Sequence, residues 1–223
     1  MIVFVAVLAL WILSLCVHEY AHARVAYAGG DVSVRAKGYL SFNPLVYMDP
    51  VHSLLWPTIF LLLGGFGLPG GAVWIDRSRL RTRGWMTATS LAGPAANLAV
   101  FLLLAAPFAI GAAPDPYASG DQALWSILAF AAFTQATAAI LNLLPLPGLD
   151  GFGALEPWLP YSVIRALAPY RGYTMVILLI LAFSTPLGAW ILHGAVRLMA
   201  ALGIDGGHLA RGYDAFFSVI PWR

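Results

Sequence analysis

The chain has 223 residues, 61% of them hydrophobic and only 10% charged, where soluble domains run at roughly a quarter charged. Its mean hydropathy of +0.81 excludes an ordinary soluble domain and points to an integral membrane protein. The net charge of +2 is too small to suggest nucleic acid as a partner, and a lone Cys16 excludes an intrachain disulfide.

Apolar stretches recur at about 2–28, 86–110, 124–144 and 173–204, and a membrane span needs about 20 residues. The expected architecture is all-α: a polytopic transmembrane helix bundle with a small β-hairpin and a re-entrant segment. No soluble stretch is large enough for a separate domain. We therefore expect one membrane-embedded domain over 1–223, with a core to about 155 and C-terminal helices from about 156.

The first apolar stretch is not a cleavable signal peptide, because it lacks a basic n-region and is too long. It also holds the most polar motif of the chain, "HEYAH", from His18 to His22. After it, "DVSVRAKGYLSF" alternates apolar and polar residues around Lys37-Gly38, which predicts a β-hairpin over 31–42. The segment 50–66, "PVHSLLWPTIFLLLGGF", is apolar but short, and Pro57 breaks it. A re-entrant or in-plane segment fits it better than a full span, since irregular backbone at membrane depth needs cover from protein or water. The Gly-rich run 64–71 reads as a flexible connector, and Arg77, Arg79, Arg81 and Arg83 as a topology anchor that also meets anionic lipid.

Charge placement sets the orientation. Seven of the twelve Lys and Arg fall between Arg24 and Arg83, and none falls between Gly84 and Ile164. The connector 111–121 carries two aspartates and no cation. By the positive-inside rule, Arg24–Arg83 is cytoplasmic and 111–121 faces outward. His18 then lies about 16 Å before Gly29, where the first helix should end. The motif is buried in the membrane, towards the cytoplasmic side.

H-E-x-x-H on a helix puts His18 and His22 one turn apart on one face, where both imidazoles can meet one ion. Glu19 lies about 100° round the helix, in reach of an attacking water as general base. A charged side chain at mid-membrane costs about 2.5–3.5 kcal/mol on insertion scales, so the cluster needs a partner or a function. One Zn²⁺ per chain supplies both. Catalytic zinc takes three protein ligands and keeps a position for water. Candidates for the third ligand are His52, Asp150, Glu156, His193 and Asp205–His208. Asp150 is the strongest of them. It follows the helix-breaking Pro145 and Pro147, is flanked by Gly148 and Gly151, and sits at the cytoplasmic end of an inward-running helix. A membrane metal-ion or proton transporter is the alternative, since it too places His and acidic groups at mid-membrane. It would usually show internal repeats, and none is apparent here.

Three elements stand in order: "HEYAH", "AGPAAN" (92–97) and "NLLPLPGLDG" (142–151). Together they resemble the site-2 proteases, intramembrane zinc metalloproteases. The segment "GYLSFNPLVYMDPVH" is similar to a compact bacterial and archaeal branch without PDZ or CBS domains. The resemblance implies zinc on His18, His22 and Asp150, with Glu19 as catalytic base and Asn142 contacting the substrate backbone. It implies endoproteolytic cleavage in or near a transmembrane segment of a single-span membrane protein, close to the cytosol. The protein is then expected in the cell membrane as a multi-pass protein in contact with the bilayer. A substrate would unwind locally and add to a strand edge in 32–42 or 72–75.

Overall fold

In a computed structural model, residues 1–47 and 73–219 are described. Their helices are α1 (Ile2–Gly29), α2 (Ser33–Ala36), α3 (Arg83–Ala109), α4 (Ala123–Asn142), α5 (Asp150–Leu155), α6 (Tyr161–Leu167), α7 (Thr174–Ser184), α8 (Leu187–Ala201) and α9 (Gly206–Phe217). Four helical stretches are long and apolar enough to cross a membrane: Ile2–Gly29, Arg83–Ala109, Ala123–Asn142 and Tyr161–Ser184. The first three match the apolar stretches expected from sequence. The fourth starts earlier, because a 3₁₀ run at Ala168–Tyr173 joins α6 to α7. It ends at Thr185-Pro186, where Thr185 turns extended and α8 begins afresh. Proline cannot continue the hydrogen-bond ladder of the preceding helix.

The bundle is built round α3 and α4. Helix α3 packs on α1 and α4, while α4 also meets α1, α8 and α9. Helix α4 is the most enclosed of the four spans. Its buried face is largely small, with Ala129, Ala131, Ala132, Ala136, Ala138 and Ala139. Small residues let helix backbones approach closely where lipid offers no hydrophobic driving force. Phe101, Phe108, Phe130, Phe216 and Phe217 fill the space between α3, α4 and α9. Apolar residues such as Leu103, Ile110, Ile180 and Trp190 stay exposed on the outside of the helices, as expected of surfaces that face acyl chains.

The expected β-hairpin over 31–42 is absent: among the described residues there is no strand. Asp31 is the physical reason. It is fully buried, and its Oδ1 accepts from the Ser33 backbone N–H (3.0 Å) and hydroxyl (2.6 Å). That local pairing starts a helical turn in place of an extended chain. Its Oδ2 accepts from Asp76 N at 2.8 Å, tying this segment to the one before α3. Lys37-Gly38 does form a turn, with Gly38 at φ +79°. The re-entrant segment expected at 50–66 and the Gly-rich run lie outside the described residues. Residues 73–75 carry no strand either, so neither stretch offers the expected edge.

Candidate metal centre

Helix α1 presents His18 and His22 one turn apart with Glu19 next to the first of them, all buried. Their enclosure comes from α3, where Gly93 and Pro94 stand opposite. A Cβ built on Gly93 would lie 2.2 Å from His22 Nε2 and 2.5 Å from His18 Nε2. Only glycine leaves room there for the two imidazoles. Pro94 has no N–H to give the preceding turn. One residue before that turn's freed carbonyl, the Thr89 carbonyl accepts from His22 Nδ1 at 2.6 Å. With Nδ1 protonated, His22 Nε2 is left with its lone pair.

The third group comes from the break after α4. Gly148 adopts φ +100°, a left-handed conformation open to glycine. A Cβ on Gly151 would meet the Leu143 carbonyl at 2.2 Å, so glycine lets α5 fold back against the end of α4. Helix α5 is then pinned to α3. Arg77 donates from Nη1 to Glu156 Oε2 (2.7 Å) and the Gly153 carbonyl (3.3 Å), and from Nη2 to Ser90 Oγ (3.1 Å). Thr87 Oγ1 donates to the Ala154 carbonyl at 2.8 Å.

The result is a convergence of three ligand groups. Asp150 Oδ2 lies 3.3 Å from His18 Nε2, and Oδ1 lies 3.3 Å from His22 Nε2. The two Nε2 atoms are 3.1 Å apart. A tetrahedral zinc with bonds of about 2.0–2.2 Å holds its ligands roughly 3.3 Å from one another. Two imidazole nitrogens and a carboxylate oxygen also form a hydrolytic zinc donor set. By spacing and by donor chemistry the three residues fit the ion. The Glu19 carboxylate stands beside them, 3% exposed as a residue.

Relatives agree. Zinc metalloprotease Rip2 of Mycolicibacterium smegmatis is 41% identical over 226 residues, which cover 96% of this chain and 83% of the relative. Rip2 of Mycobacterium tuberculosis is 42% identical over 221 residues, with the same 96% and 83% coverage. The chain belongs to the site-2 protease family. A more distant member, zinc metalloprotease YwhC of Bacillus subtilis, is 34% identical over 193 residues, 81% of each chain. No family model and no solved structure matches the chain. With four helical stretches among the described residues long and apolar enough to cross a membrane, this site-2 protease is a multi-pass membrane protein and a zinc-dependent metalloprotease.

The other candidate ligands in this protease go elsewhere. Glu156 is held by Arg77 and Arg171. His193 is exposed, and its Nδ1 donates to the Ala189 carbonyl at 2.7 Å. Asp205 caps α9 by accepting from Gly207 N at 2.6 Å. His208 Nε2 pairs with the Pro114 carbonyl at 3.0 Å. His52 lies outside the described residues. Asn142, the last residue of α4, is buried, and its Nδ2 has no partner among the described residues. The sequence reading missed two contributors. Gly93 was legible only as part of the "AGPAAN" element, and Arg77 only as one of four surface arginines.

Proposed function

We propose that this site-2 protease hydrolyses a peptide bond in or near a transmembrane segment of a single-span membrane protein, at a site within the bilayer towards the cytoplasm. The observation that carries the reading is the convergence of Asp150 on His18 and His22 beside Glu19, the latter three on a helix long and apolar enough to span a membrane. Zinc held by these three residues would polarise the scissile carbonyl and bring a water's pKa towards about 7. Glu19 takes the proton of the attacking water and hands it to the leaving amine. His22 is fixed before substrate arrives by the Thr89 carbonyl, and Asp150 by the Arg77 bridge that pins α5 to α3. A helical substrate hides its carbonyls in its own hydrogen bonds, so it is cut where it unwinds. The free Nδ2 of Asn142 is a buried donor suited to one of the carbonyls so released, since a buried amide N–H without a partner is costly.

Metal content tests the ligand set. Elemental analysis of the purified chain should give near-stoichiometric zinc, and strong loss in His22→Ala and Asp150→Ala. Zinc retained by Asp150→Ala would remove Asp150 from the set. A chelator should abolish cleavage, with recovery on adding zinc.

Side-specific labelling tests the orientation. Ser78 and Ser119 are both exposed, and Cys16, the lone thiol, is buried. With Cys16 replaced, a cysteine at Ser119 should react with an impermeant thiol reagent in intact cells, whereas one at Ser78 should react only after lysis. The reverse pattern would place the site near the outer face.

A further inference from the structure

The two histidines differ in what holds their outer nitrogens. His22 Nδ1 is fixed by the Thr89 carbonyl. His18 Nδ1 is buried and has no partner among the described residues. His18 lines a small cavity of about 20 Å³ between α1, α3 and α4, together with Ser14, Asn97, Gln135 and Ala138. Gln135 is 2% exposed, and its Oε1 is likewise without a partner.

The orientation of the Gln135 amide follows from its neighbours. Ser14 Oγ donates its one hydrogen to the Trp11 carbonyl at 2.8 Å. It can therefore only accept from Gln135, at 2.8 Å, which puts Nε2 towards Ser14 and leaves Oε1 as the free acceptor. With His18 Nε2 turned to the ion, Nδ1 carries the hydrogen and is a donor. A donor and an acceptor, both buried and unmatched, thus share one cavity. A water needs about 10–15 Å³ on this measure and two or more polar partners. The cavity offers both.

We propose that a single water occupies this cavity, accepting from His18 Nδ1–H and donating to Gln135 Oε1. Gln135 is then a positioning residue for the zinc ligand His18, acting through that water and anchored in turn by Ser14. The proposal rests on His18 being a ligand. Ligating histidines generally bind a carbonyl, carboxylate or water through the other ring nitrogen, and losing that partner costs about 10–100-fold in metal affinity.

The test is zinc affinity of the full chain, measured by competition with a chromogenic chelator, alongside thermal unfolding of the metal-free protein. Gln135→Met keeps the length but removes the acceptor. It should bind zinc about 10–100-fold more weakly while the metal-free protein unfolds at the parental temperature. Ala138→Val fills the cavity without removing any polar group and should weaken zinc similarly. His18→Ala, measured in parallel, should lose zinc. If His18→Ala loses zinc while Gln135→Met binds it as the parent does, the water bridge is wrong and the ligand set stands. If His18→Ala keeps its zinc, the ligand set itself is wrong and the bridge falls with it. Should Gln135→Met fail to fold, parental affinity in Ala138→Val overturns the bridge. An experimental structure of the zinc-loaded parent should show an ordered water beside His18 Nδ1, and a dry cavity there would also overturn it.

Discussion

Glu19→Gln should give a folded, zinc-loaded protein that cleaves a membrane-embedded peptide at least about 100-fold more slowly than the parent. The substitution keeps the side chain's size and one carbonyl oxygen. It removes the ability to accept a proton at neutral pH. General acid–base catalysis contributes about 10²–10⁴-fold, and here one group is asked both to deprotonate the water and to protonate the amine. The ligand atoms of His18, His22 and Asp150 are untouched, so zinc content should hold near one per chain. Substrate should still bind, and the variant should retain it on co-purification. Cleavage in proteoliposomes and elemental analysis of the same preparation decide the matter. Parental turnover with zinc present would show that Glu19 is not the base.

The site was legible where the chemistry is local in sequence. The His18–His22 spacing fixes two imidazoles on one face of a helix whatever surrounds them. Proline and glycine around Asp150 mark the break that turns the chain back towards the histidines. The hairpin over 31–42 failed for a reason alternation cannot reveal. Asp31 bonds both its own turn, through Ser33, and a distant backbone group at Asp76. The long-range partner makes burial of that carboxylate tolerable, and the local one then dictates a helical turn. Glu156 was one of the candidates for the third ligand, whereas it is claimed by Arg77 and Arg171 from two separate segments. Gln135 and Gly93 share this character. Each matters for what it faces on another helix, and in sequence a glutamine or glycine in an apolar span reads as packing.

Gly93→Ala separates folding from metal binding more sharply than any ligand substitution. By local rules the change is benign or better. Gly93 lies inside α3, and alanine in a helix interior is favoured over glycine by roughly 0.5–1 kcal/mol. The site predicts the opposite for zinc. The new methyl would stand 2.2 Å from His22 Nε2 and 2.5 Å from both Nε2 and Cε1 of His18, distances no carbon tolerates from a ring atom. In the metal-free protein the imidazoles can turn aside, but His22 then gives up its buried bond to the Thr89 carbonyl, which costs about 1–3 kcal/mol and is offset in part by the helix gain. With zinc they cannot, because the methyl fills the side on which their ligand atoms converge with Asp150. We therefore expect Gly93→Ala to fold without metal and to unfold only modestly below the parental temperature. Its zinc binding should be weaker by at least about 100-fold, beyond the loss of a single outer partner. Cleavage should fall to background. Unlike Glu19→Gln, whose zinc is present and whose turnover is lost, this variant loses activity because the metal is gone. Near-stoichiometric zinc in purified Gly93→Ala would mean that α3 does not press on the histidines as described, and that the site is more open than its helix packing indicates.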